Sequence, residues 1–106
     1  MSALPLATTE LDMIRAILRR HPEVPTATLF GSRAKGTHSV RSDVDLALSG
    51  DVAPLRAEAM AAELDDLTLS YRFEVQPLEH IHNRPLLEHI KRVGILIYPE
   101  PKPANS

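Results

Sequence analysis

The sequence predicts an α/β fold: three or four short strands in one sheet, with two to four helices packed mainly on one face. Three observations carry that expectation. A length of 106 residues suits one domain with a modest core. Segments with apolar residues at helical spacing are interleaved with short runs that alternate or stay apolar as strands do. The stretch from Thr28 to Leu48 reads as strand, glycine-marked segment, strand, and two aspartates open its second strand.

Taken in order, residues up to Ala7 are expected to fray. Thr8 or Thr9 can cap a first helix whose opening turn holds Glu10 and Asp12, where the macrodipole favours acids. Leu11, Ile14 and Leu18 form its apolar stripe, widened by Met13 and Ile17, and Pro22 ends it. A first strand is expected over Thr26 to Phe30 and a second over Asp43 to Leu48. Asp51 is a candidate cap for the next helix, with Leu55, Ala59, Ala62 and Leu67 inward and Arg56, Glu58, Glu63, Asp65 and Asp66 in solvent. A third strand spans Tyr71 to Pro77. Asn83 caps the last helix, Pro85 fits its first turn, and Leu86, Leu87, Ile90 and Val93 form its inner stripe. Gly94 is expected to close it in a left-handed conformation. Ile95 to Tyr98 reads as a final strand, so that the domain spans 8–98 and 99–106, rich in proline, forms a disordered tail.

Composition narrows the function. No apolar run approaches a membrane span and no export signal opens the chain, which makes the cytoplasm the expected compartment. Without cysteine there is neither a disulfide framework nor a thiolate zinc site. A net charge of -2 provides no general field for DNA or RNA, so no direct duplex binding is expected and any polyanion contact is local.

The chemistry gathers at three places. On a strand, Asp43 and Asp45 share a face, with backbone positions about 6.6 Å apart, while Val44, Leu46 and Leu48 share the other. Two carboxylates entering a buried strand are costly unless a cation lies between them, and a hard divalent metal is the simplest such partner. Gly31 permits close backbone approach, Ser32 offers a hydroxyl and an amide at a helix start, and Arg33, Lys35 and Arg41 add cationic reach. Gly31 and Gly36 are spaced like the ends of a P-loop, but Thr37-His38 stand where that motif needs Lys-Ser/Thr, so it is rejected. Glu74, a carboxylate in mid-strand, is either a partner for Asp43 and Asp45 or an exposed edge-strand residue. Glu79-His80-Ile81-His82 lacks a third ligand at zinc spacing and reads as an ordinary loop.

Gly31-Ser32, ten further residues and Asp43-Val44-Asp45 together resemble the signature of the polymerase-beta-type nucleotidyltransferase superfamily. The short chain resembles one branch, the minimal nucleotidyltransferases encoded beside HEPN-domain partners, and the likeness runs from about Thr9 to Tyr98. The resemblance implies a mixed sheet, a Gly-Ser turn that grips nucleotide phosphates with Arg33 and Lys35 in support, and two Mg2+ ions on Asp43 and Asp45. Glu74 stands where superfamily members carry a third acid, often aspartate, and its longer arm alters the placement of the oxygens. The implied activity is transfer of AMP from ATP to a HEPN-type toxin within a hetero-oligomer, making this chain an antitoxin. Two rivals remain: an antitoxin acting by contact alone with a degenerate site, and the catalytic subunit of a two-subunit nucleotidyltransferase for a small molecule.

Overall fold

Residues 6–36, 43–69 and 71–100 are described by a computed structural model of the chain. Within them the order is α1 (Thr8–Leu18), β1 (Ala27–Phe30), α2 (Ser32–Lys35), β2 (Val44–Leu48), α3 (Pro54–Asp65), β3 (Phe73–Pro77), a 3-10 turn (Leu78–His80), α4 (Arg84–Val93) and β4 (Ile95–Tyr98). The strands make one sheet in the order β3-β2-β1-β4. β1 runs antiparallel to both β2 and β4, whereas β2 and β3 are parallel, so the sheet is mixed as the resemblance implied.

Alternation along the strands sorts the two faces. Leu29 of β1, Val44, Leu46 and Leu48 of β2 and Ile97 of β4 join Ile14 and Leu18 of α1 and Met60 and Leu64 of α3 in the main core. Thr28, Phe30, Asp45, Ala47, Glu74 and Gln76 take the opposite face by the same alternation. There Phe30 and Ala47 meet Ile81 and Ile90 in a smaller cluster, flanked by Leu78, Leu86 and Leu87. The two longer helices thus cover one face, and α4 covers part of the other.

Several local expectations are corrected. Ala7, not a threonine, occupies the N-cap of α1, and the first turn is closed by the Glu10 carboxylate accepting from the Ala7 N–H at 2.9 Å. Leu6, placed in the fraying segment by sequence, is buried. Helix α3 starts at Pro54 behind Ala53, not at a cap from Asp51, and it buries Ala57, Met60 and Leu64. Leu55 is 78% exposed. An alanine-rich helix offers several apolar stripes, and the one bearing the larger Met60 and Leu64 fills the space above the sheet. Glu63, assigned to solvent, is half-buried and bonds the buried His21 at 2.7 Å, joining α3 to the end of α1. Asp65 is exposed as expected, and it also accepts from the Phe73 N–H at 2.9 Å where β3 begins. Asn83 caps α4 as expected, accepting from the Leu86 N–H at 3.1 Å. Gly94 is extended, not left-handed. Its need for glycine is steric, because a Cβ there would lie 2.3 Å from the Ile90 carbonyl oxygen and 2.7 Å from Thr28 Cγ2.

β4 is an edge strand, and its outer rim is managed by α1. Arg15, buried within the apolar stripe, donates through Nε to the Ile97 carbonyl at 2.7 Å. The same guanidinium approaches Glu100 at 3.8 Å, so the chain is held beyond Tyr98, while 101–106 of the expected tail lie outside the described residues. No helix among the described residues is long and apolar enough to cross a membrane.

Candidate active site

One row of residues runs across three strands. Phe30 of β1 is in register with Asp45 of β2, and Asp45 with Glu74 of β3. Paired neighbours on a sheet point to the same face, about 4.8 Å apart along the row. Asp43 immediately precedes β2, two residues from Asp45 and therefore on that face as well. The sequence placed Asp43, Asp45 and Glu74 together, and the fold brings them together. Glu74 is exposed and lies on edge strand β3, whereas Asp43 and Asp45 are half-buried.

Crowding of these carboxylates has an electrostatic consequence. Partial burial, then the charge of Glu74, then that of Asp43 push the Asp45 carboxyl from 3.8 up to about 6. An all-oxygen cluster that resists its own ionisation suits a hard divalent cation. Among the described residues no group of three or more His, Asp or Glu side chains is placed to hold a metal ion.

The Gly31 turn abuts this cluster. With φ 81 and ψ -158, Gly31 adopts a backbone conformation that is essentially restricted to glycine. A Cβ there would fall 2.2 Å from Asp45 Oδ2. Close approach is therefore required at Gly31, and the neighbour that requires it is the carboxylate of Asp45. The Gly31 carbonyl accepts from the Lys35 N–H at 3.1 Å, closing the single turn of α2. Lys35 is exposed at its end.

Arg33, expected to add cationic reach to the turn, is held within the fold. It is only 3% exposed, and its guanidinium lies over the Tyr71 ring, 4.2 Å from the centroid. The Tyr71 hydroxyl in turn donates to Glu10 Oε2 at 2.8 Å, and that carboxylate pushes the phenol pKa up. Arg33 thus ties α2 to α1 and to the approach of β3. Arg41, with all of 37–42, lies outside the described residues.

Sequence reasoning missed His89. From α4 its Nε2 accepts the Gly31 N–H at 2.9 Å, and its ring meets Phe30 edge to face at 6.3 Å. The available signal was a histidine three residues after Leu86 and beside Ile90, on the helix stripe that faces the sheet. A shallow apolar groove of about 290 Å³ also lies along α4, lined by Leu78, Arg84, Leu87, Glu88, Ile90 and Lys91. None of Asp43, Asp45 and Glu74 lines it.

Asp43 just before β2 and Asp45 within it thus lie beside the Gly31-Ser32 turn in a mixed four-stranded sheet. The profile of the family described as polymerase beta, nucleotidyltransferase, matches residues 12–102, and the chain belongs to that family. No curated protein matches it in sequence. Among solved structures, a toxin–antitoxin complex with AMP-PNP is similar with a TM-score of 0.72 and 22% identity, over 83% of this chain and 72% of that one. A Shewanella oneidensis structure, a tri-AMPylated HEPN toxin in complex with MNT antitoxin, gives 0.67 and 18% over 85% and 70%. A putative nucleotidyltransferase from Sulfolobus solfataricus gives 0.51 and 14% over 81% and 73%. At these identities the likenesses establish the fold.

Proposed function

We propose that this chain is a cytoplasmic, metal-dependent nucleotidyltransferase that moves AMP from ATP onto a partner protein, an antitoxin silencing a HEPN-type toxin in a hetero-oligomer. The observation that carries the reading is the alignment of Asp45 with Glu74, beside Asp43 and against Gly31. Family membership supports nucleotidyl transfer. The similar structures support the nucleotide and the partner, since one contains AMP-PNP and another an AMPylated HEPN toxin.

Asp43 and Asp45 are the residues to hold two Mg2+ ions, with Glu74 completing one of the two sites. When bound, such ions activate an attacking hydroxyl and screen the charge of departing pyrophosphate. The chain's own contribution is placement. Gly31 keeps the turn close to Asp45, Ser32 offers its hydroxyl and amide to the outer phosphates, and Lys35 adds exposed positive charge. Arg33 serves this turn as an anchor through Tyr71. In the reaction the acceptor hydroxyl oxygen bonds the α-phosphorus, the bond to pyrophosphate breaks, and the hydroxyl proton is released.

Isotope position tests the reading. With the purified partner and Mg2+, label from the α-phosphate of ATP should appear on the partner and label from the γ-phosphate should not. Labelling by both would indicate phosphoryl transfer. Labelling by neither, with the partner still silenced, would favour an antitoxin acting by contact.

A further inference from the structure

We infer that His89 is a positioning residue for the nucleotide turn: as a hydrogen-bond acceptor on α4, it holds the Gly31 amide and so fixes the turn against Asp45. The inference rests on the reading of Gly31-Ser32 as the phosphate-binding turn.

Gly31 is held from three directions. Its N–H donates to His89 Nε2 at 2.9 Å, and its carbonyl accepts from the Lys35 N–H at 3.1 Å. Asp45 Oδ2 occupies the space where a side chain would project. Because a backbone N–H can only donate, Nε2 must present its lone pair, and the ring proton of neutral His89 resides on Nδ1. The edge-to-face contact between Phe30 and the imidazole, with ring planes at 79°, sets the ring's orientation. Helix α4 reaches β1 through Ile90, which packs with Phe30 and Ala47, so the histidine stands on a fixed platform.

Two consequences follow. The Gly31 amide is already engaged by His89 and is not itself a phosphate donor. In addition, the glycine's unusual backbone conformation is maintained by an element far along the chain, α4, and not by the turn alone. Without an acceptor at position 89 the amide would be left to water or to rotation of the peptide, and the turn would lose its placement against Asp45.

The test uses H89F, which keeps a ring against Phe30 but offers no acceptor, and H89Q, whose side-chain carbonyl oxygen can replace Nε2. Amide exchange and the chemical shift of Gly31 are followed by nitrogen-15 NMR, and Mg-ATP binding by calorimetry. The expected result is a protected Gly31 amide in wild type and H89Q, loss of protection in H89F, and Mg-ATP binding weakened about tenfold in H89F and largely recovered in H89Q. Nitrogen-15 spectra of the His89 ring should show Nδ1 protonated. An unchanged Gly31 resonance in H89F overturns the inference, as does equal loss of binding in H89F and H89Q. Should wild type bind no Mg-ATP, the phosphate reading fails, and the exchange data alone decide whether His89 holds the turn. Should H89F not fold, the H89Q exchange and binding data decide the same question.

Discussion

Replacing Asp45 by Asn should make the metal-free protein more stable at neutral pH, because the native fold resists this carboxylate's charge. Its pKa in the fold stands at about 6 against 3.8, raised first by burial and then by Glu74 and Asp43. The native state therefore binds the proton more tightly than the unfolded chain does. Stability is lost as pH rises through about 6 and regained as pH falls towards 3.8. At about 1.4 kcal/mol per pH unit, the ceiling of the effect above pH 6 is about 3 kcal/mol. Asp45 is only half-buried, and solvent screening reduces this to about 1 kcal/mol. For a domain of this size that corresponds to a melting temperature about 4 °C higher. The assay is thermal unfolding by circular dichroism with a chelator present, for wild type and D45N, from pH 8 down to pH 4. The gain should be full at pH 8 and shrink progressively below pH 6. A destabilised D45N, or a difference independent of pH, would refute the electrostatic argument. Added Mg2+ should reverse the order, since only a protein with the intact carboxylate gains from binding it.

Other perturbations have equally definite outcomes. Gly31→Ala places a methyl on the Asp45 carboxylate in a backbone region alanine avoids, and should cost about 2 kcal/mol or more in urea unfolding while reducing ATP binding; wild-type values for both would contradict the turn geometry. Gly94→Ala crowds the Ile90 carbonyl and Thr28 at the junction of α4 and β4. It should lower stability by about 1–3 kcal/mol, and an unchanged urea midpoint would refute that packing. Glu74→Gln should change stability by less than about 0.5 kcal/mol, since the residue is exposed on an edge strand, yet reduce AMP transfer steeply. Undiminished transfer by E74Q would leave Glu74 a surface residue, and retained transfer by E74D would support a metal ligand.

The sheet was legible in the sequence where one face is apolar and the other is not. In Asp43-Val44-Asp45-Leu46-Ala47-Leu48 a one-residue slip would exchange the faces, so the pattern itself places the aspartates opposite the core. The spacing of Gly31-Ser32 to Asp43 likewise carries the family resemblance in the sequence itself. The third helix was not legible to the same degree. Ala59 and Ala62 look apolar but are exposed, and only the shape of the space above the sheet selects Met60 and Leu64. The long-range ties were less legible still. Arg15 bonding Ile97, Arg33 over Tyr71 and His89 accepting from Gly31 each join residues distant in sequence. A charged or polar side chain in such a place carries no local periodicity, so its burial follows only from how the elements are brought together.

The proposed AMP transfer at the Asp43–Asp45 pair is tested most directly by the intact mass of the proposed HEPN-type partner. After incubation with wild-type protein, ATP and Mg2+, the partner should gain one or more AMP increments. With D43N or D45N, or with a chelator, its mass should stay unchanged although the two proteins still associate. An unmodified partner with wild-type protein, or a partner modified equally by D45N, would contradict the account.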